Sequence, residues 1–145
     1  MQALDSMGHS VHRVLLIDQD VAWLDSAREA MLSWPMLQLV SSPDPEYGFE
    51  LAIRERFHLF IFGGNMQPLR AALLYRLIDR VYCYGRSTRQ SLPPIFLVTP
   101  DLARNDEREL CDEPGWQGLL VRAAEPQALA RRILKSLKIE STELF

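Results

Sequence analysis

Cysteine is scarce in this chain: Cys83 and Cys111 are the only two among 145 residues. Two thiols so distant in sequence build neither a zinc cluster nor a disulfide framework, so both are expected as free thiols in a reducing cytoplasm. Histidine is scarce as well. His9, His12 and His58 are scattered and match no triad or metal-ligand spacing. No apolar run reaches the roughly 18 residues that a membrane span needs. The first dozen residues have no apolar core behind a basic end, so a secretory signal is not expected there. Basic residues number 16 against 19 acidic ones, a formal net charge of −3, and the two signs are mixed along the chain. That balance argues against a nucleic-acid-binding surface, which usually needs clustered Lys and Arg. Internal repeats and low-complexity linkers are missing too.

What is present is enough apolar material for one core. Hydrophobic residues make up 48% of the chain, and its length suits one domain. The pattern alternates short apolar runs with longer amphipathic stretches. Val14-Leu15-Leu16-Ile17 predicts a strand buried on both faces, ended by Asp18-Gln19-Asp20. Asp20 stands where a helix N-cap belongs. Val21, Leu24, Ala27 and Met31 then mark one face of a helix that Pro35 stops. Leu37 to Ser41 predicts a second strand. Pro43-Asp44-Pro45 predicts a turn and helix start, with Tyr47, Leu51 and Ile53 as the apolar positions of a helix ending near Arg56. Leu59-Phe60-Ile61-Phe62 predicts the third strand, followed by Gly63-Gly64-Asn65. A helix over 69–82 carries Leu73, Leu74, Leu77, Ile78 and Val81. Ile95-Phe96-Leu97-Val98 predicts the fourth strand, and the charged segment 101–112 a fourth helix. Gly118-Leu119-Leu120-Val121 predicts the fifth strand. The fifth helix, over 125–137, turns Leu129, Ile133, Leu134 and Leu137 inward. Residues 1–12 are expected as a flexible N-terminal segment, 13–137 as the domain and 138–145 as a tail.

Five strands each followed by a helix imply an α/β fold, a doubly wound parallel sheet covered by helices on both faces. The common solution at this length is the flavodoxin-like order 2-1-3-4-5. The loops after the first and third strands then meet at the switch point, which places any site among Asp18, Gln19, Asp20, Gly63, Gly64 and Asn65.

On these residues the chain resembles a response-regulator receiver domain of the CheY-like family, over most of 13–137. The resemblance implies a site in which acidic residues after the first strand bind Mg²⁺. It implies an aspartate nucleophile after the third strand, a Thr or Ser after the fourth and a Lys after the fifth. Leu15-Leu16-Ile17-Asp18-Gln19-Asp20 fits the apolar run and acidic pair, with Gln19 in place of the second acid. In Phe60-Ile61-Phe62-Gly63-Gly64-Asn65-Met66, Gly63 takes the place of the nucleophilic aspartate. Asn65-Met66 supports that register, and Pro68 arrives one residue late. Thr99 fits the hydroxyl position. Gly115-Trp116-Gln117-Gly118-Leu119-Leu120-Val121-Arg122 fits the stretch around the fifth strand. There Arg122 takes the Lys place, Ala123 the place of the usual proline and Leu119 the aromatic switch position.

For phosphotransfer these departures point the other way. Glycine has no group to phosphorylate, and the Mg²⁺ site loses carboxylates at Gln19 and Gly63, so no metal or cofactor and no enzymatic activity are expected. Asp18 is either a relic of the metal site or half of an ion pair with Arg122, and the pair is favoured because a partly buried guanidinium needs a partner. Gly63-Gly64 is either a phosphate cradle or drift in a pocket without chemical demand. Drift is favoured, because the loop lacks a Lys-Ser or Lys-Thr tail and faces two aspartates. Thr99 either keeps a pocket hydrogen bond or caps the following segment. Trp116 and Leu119 form either a docking patch or ordinary packing. The functional expectation is a phosphorylation-independent signalling module in the cytoplasm. It would bind a protein partner or itself through the face of the fourth helix, fifth strand and fifth helix, with no nucleic acid or membrane as partner. Two alternatives stand beside it: a receiver regulated through another acceptor or ligand, and a small-molecule binder of the flavodoxin or cobalamin type.

Overall fold

The structure is a computed structural model that describes residues 11–64, 66–83, 93–99, 108–121 and 126–137. Five strands, β1 (His12–Ile17), β2 (Leu37–Ser42), β3 (Leu59–Gly63), β4 (Ile95–Thr99) and β5 (Trp116–Val121), form one sheet. All neighbours are parallel, in the order β2-β1-β3-β4-β5. This is the doubly wound flavodoxin-like order that the sequence pattern predicts. Four helices are described: α1 (Val21–Met31), α2 (Pro45–Arg54), α3 (Ala71–Cys83) and α4 (Pro126–Ser136). Of the predicted helix over 101–112, Arg108–Leu110 are helical, and 101–107 lie outside the described residues.

The unbroken apolar runs are explained by burial on both sides of the sheet. In β1, Val14, Leu15, Leu16 and Ile17 are all fully buried. Successive side chains point to opposite faces. Leu15 and Ile17 enter one core with Phe60, Phe62 and the inner faces of α2 and α3. Val14 and Leu16 enter the other with Ile61, Phe96 and residues of α1 and α4. Any polar residue in the run would place an unsatisfied group in one core or the other.

Local chemistry sets the helix starts. Asp20 has an extended backbone and its carboxylate accepts from the Trp23 amide at 3.1 Å, capping α1. Asp44 does the same for α2, accepting from Glu46 N at 3.0 Å, with Pro45 in the first turn. The Ser42 hydroxyl accepts from Asp44 N and donates to Asp44 O, both at 3.0 Å, and so fixes the turn before the cap.

Several predicted helix faces are rotated by about one residue. Val21 is exposed, and α1 buries Leu24, Ala27, Ala30 and Met31. In α2, Tyr47 and Ile53 face solvent while Pro45, Gly48 and Ala52 lie inward. In α3, Leu73 and Val81 are exposed, and Tyr75 and Tyr82 are buried. Tyrosine enters these cores because its hydroxyl finds a partner. The Tyr75 hydroxyl donates to Pro93 O at 2.9 Å, in space that the absence of a side chain at Gly115 leaves open. The Tyr82 hydroxyl lies 2.9 Å from Ala52 O and ties α3 to the end of α2. Burial pushes both phenols above their ordinary range. Gly48 is selected by space: an added Cβ would lie 2.1 Å from Ile17 Cδ1 and 2.8 Å from its Cγ1.

β5 begins two residues earlier than predicted. A register shift opposite Ile95 and Phe96 leaves Gln117 without a counterpart, and Gly118 takes φ +125°, a left-handed value that glycine tolerates. β1 begins at His12, behind a buried Val11. His58 is more than the surface or edge residue its isolation in the sequence suggests. Its amide donates to Arg13 O at 2.8 Å and its ring Nδ1 accepts from Arg13 N at 2.8 Å, which locks the start of β3 to β1. The free thiol of Cys111 is exposed, and the Cys83 side chain lies outside the described residues.

Two outcomes follow from these contacts. Replacing Gly48 by Ala brings about 1 kcal/mol of helix propensity, but overpacking against Ile17 costs about 1–3 kcal/mol. Gly48→Ala will therefore lower the urea midpoint at unchanged slope, and a stabilised variant would show that α2 does not sit this close to β1. The second outcome concerns pH. Burial first, then the charges of His12 and Arg13, hold His58 below its ordinary pKa. Its neutral form is the one that accepts from Arg13. The stability it contributes is thus present above the ordinary value of about 6.5 and lost as pH falls through the lowered folded value. His58→Asn keeps an acceptor but does not titrate, so urea midpoints measured across this range will fall less steeply in the variant. Identical slopes would remove His58 from the acid response.

Candidate functional site

The parallel register decides which residues meet at the carboxyl ends of the strands. Ile17 pairs with Phe62, and Gly63 with Val98. The next residue after Ile17 is Asp18, so it lies beside Gly63. Thr99 ends β4 opposite Val121 of β5. Asp18, Gly63 and Thr99 are thereby gathered at one end of the sheet. Asn65, Arg122 and Ala123 and the Thr99 side chain lie outside the described residues. The proposed Asp18–Arg122 ion pair falls with them.

The side chain of Asp18 is 2% exposed. Its position is tied to the glycine next to it. A Cβ added at Gly63 would lie 2.9 Å from Asp18 Cγ and 3.1 Å from each carboxylate oxygen. Real Cβ atoms do not approach so closely, and a carboxyl carbon on a buried side chain has little room to withdraw. The Asp18 carboxylate therefore fills the space into which a side chain at position 63 would project. Its Oδ1 also accepts from Asp20 N at 3.0 Å, closing a turn over the end of β1.

The other two members of the first loop are engaged as well. Asp20 caps α1 through Oδ1. Gln19 reaches across to the loop after β3, where its Nε2 donates to Gln67 O at 2.5 Å and its Oε1 lies 3.4 Å from Gln67 N. A carboxylate at position 19 can only accept, so it would lose the contact to Gln67 O. The amide in place of the acid thus joins two loops directly. Beyond β3, Gly64 N donates to Val98 O at 2.7 Å, and Met66 is buried in the core.

These donors do not fit a magnesium ion. Mg²⁺ asks for near-octahedral oxygen ligands, carboxylates foremost. Asp18 faces Gly63 and a backbone amide, Asp20 serves a helix end, and residue 19 presents an amide bound elsewhere. Among the described residues no three His, Cys, Asp or Glu side chains converge as a metal site would require. Trp116 and Leu119 lie apart from this pocket on β5, both half-buried and packed against the core formed with α2 and α3. Gln67 is the contributor that sequence reasoning misses. It acts through its backbone, and no residue pattern announces a main-chain partner.

No protein-family model matches the chain, and no curated protein matches it. Solved structures do. A CheY-like response regulator receiver domain from Methanospirillum hungatei is 17% identical, with 92% of this chain and 99% of that one covered at a TM-score of 0.73. The chemotaxis response regulator CheY4 of Vibrio cholerae is 17% identical, with 88% and 99% covered at 0.69. The receiver domain of the putative response regulator NarL from Mycobacterium tuberculosis is 15% identical, with 90% and 98% covered at 0.69. At these identities the likeness establishes the fold, which is that of CheY-like receiver domains.

The contact between Asp18 and Gly63 is open to a double-mutant cycle. Gly63→Ala alone will destabilise the protein by about 1–3 kcal/mol through overpacking. In an Asp18→Ala background the same change will cost less by at least about 0.5 kcal/mol. Equal costs in the two backgrounds, measured by urea unfolding, would mean that the carboxylate does not occupy the glycine's space.

Proposed function

We propose that this chain is a receiver-like domain of two-component signalling that works without phosphorylation at position 63, as a protein-contact module. The observation that carries this reading is the Asp18 carboxylate standing where an acceptor side chain would project from residue 63. The pocket is then a closed structural corner and has no catalytic role. The domain binds no metal or other cofactor, is not an enzyme and acts in the cytoplasm. No helix among the described residues is long and apolar enough to cross a membrane.

Contact is assigned to the face made by the segment around Arg108–Leu110, β5 and α4. Trp116 and Leu119 keep part of their apolar surface open there. Half-exposed apolar side chains on a rigid strand supply an anchor for a protein partner or a second copy at little entropic cost. A receiver acting through a different acceptor, or a flavodoxin-like binder, requires a loaded pocket. The amide clamp and the inward carboxylate argue against both.

Incubation with acetyl phosphate and Mg²⁺, followed by intact mass measurement, tests the reading. The expected outcome is an unchanged mass. An added phosphoryl group, mapped to any residue of the pocket loops, would overturn it. Light scattering over a range of concentrations then separates the two kinds of partner. A mass that doubles with concentration assigns the face to a second copy, and a constant monomer mass assigns it to a different protein.

A further inference from the structure

The opposite end of the sheet holds a cleft unlike the closed corner around Gly63. It has a volume of about 380 Å³ and is lined by Phe96, Gln117, Arg132, Lys135 and Ser136. Phe96 is the second residue of β4 and Gln117 the second of β5, so the cleft lies toward the amino ends of these strands. Arg132, Lys135 and Ser136 follow at i, i+3 and i+4 and share one face of α4. The described lining residues include two cations and no carboxylate. The helix itself carries Arg131, Arg132 and Lys135 with no acid, in a chain whose formal net charge is −3.

Three features indicate a ligand, beyond basic residues gathering at a helix end. The first is how Arg132 is held. Its Nη1 donates to Leu119 O, and its guanidinium carbon stands 4.9 Å from the centre of the buried Phe96 ring. A guanidinium has five N–H donors, so one bond to a carbonyl leaves a fixed fork with donors to spare. The second is Gly118, where an added Cβ would lie 3.2 Å from Arg132 Nη2. The bulge and its left-handed glycine thus keep clear the space that the guanidinium uses. The third is Ser136. Its hydroxyl is shielded from solvent and has no hydrogen-bond partner among the described residues. A shielded hydroxyl left unpaired is costly, and a water, an ion or a ligand that reaches it restores the missing bond. The negative end of the helix dipole explains a cation at Lys135, but it explains neither the held guanidinium nor the unpaired hydroxyl.

We propose that this cleft is a binding site for a small phosphate-bearing anion. The Arg132 fork takes two phosphate oxygens, as planar guanidinium does well. Lys135 adds charge, the Ser136 hydroxyl donates to a third oxygen, and Gln117 closes the cleft from the bulged strand. The site is remote from Gly63 and does not depend on how the pocket there is read.

Titration of the full chain with inorganic phosphate, followed by amide shifts in heteronuclear NMR at constant ionic strength with chloride as counter-anion, tests the proposal. Citrate in a parallel titration distinguishes a phosphate from a carboxylate ligand. Saturable shifts at Gln117, Gly118 and Ser136, stronger with phosphate than with citrate, are expected. Arg132→Gln will weaken binding by about tenfold or more, the scale of a lost charge-assisted bond. Ser136→Ala leaves both cations in place and will also weaken it, which keeps the test informative should Arg132→Gln fold poorly. Arg131→Gln, on the same helix but outside the cleft, will leave it unchanged. No saturable shift, tighter binding of citrate, or equal loss in Arg131→Gln and Ser136→Ala would each overturn the proposal.

Discussion

The corner between Asp18 and Gly63 is the constraint around which the upper end of this domain is arranged. One buried carboxylate fills the volume next to one glycine. A Cβ on that glycine would lie 2.9 Å from Asp18 Cγ, so in a close-packed interior a second side chain requires the carboxylate to shift. Glycine at position 63 and the inward carboxylate of Asp18 thus depend on each other. A side chain at position 63 would push against Asp18, which also closes the turn to Asp20. The neighbouring bonds follow from the same arrangement: Asp20 is committed to α1, and Gln19 to the backbone of the loop after β3.

The sheet was readable from the sequence because its physics is two-sided. Val14 to Ile17, Leu59 to Phe62 and Ile95 to Val98 are buried on both faces, so they read as unbroken apolar runs, and five strands with amphipathic stretches between them leave few topologies. The caps at Asp20 and Asp44 were readable for a similar reason, since the chemistry of a helix start is local. The inner faces of the helices were less so. Tyr75 and Tyr82 turn inward because Pro93 and Ala52 offer carbonyls to their hydroxyls, and Gly48 faces Ile17 because only glycine leaves it room. Each of those partners is distant in sequence, and hydropathy alone assigns such residues to the wrong side. The role of His58 is hidden in the same way, because its partner is a backbone amide.

At the candidate site the sequence located the residues but not their geometry. Strand ends and spacing brought Asp18 and Gly63 together in the reading, and the register places them side by side. The direction of the Asp18 carboxylate and the Gln19–Gln67 clamp depend on side-chain packing that no spacing encodes. The same holds for β5. The bulge at Gln117 and Gly118 stands beside the cleft that Gln117 helps to line, and glycine in the predicted strand was its one visible sign.

The residues around Asp18 form a coherent set once charge is considered. Several carboxylates crowded at one sheet end repel one another, and a divalent cation is the usual remedy. Gln19 and Gly63 add no charge there, so Asp18 and Asp20 are the carboxylates of the first loop that remain. What remains can be stabilised by ordinary protein groups, here a backbone amide for Asp18 and a helix start for Asp20. Gln19 then has a use that an acid at the same position lacks, because an amide both donates and accepts and so matches a backbone N–H and C=O together.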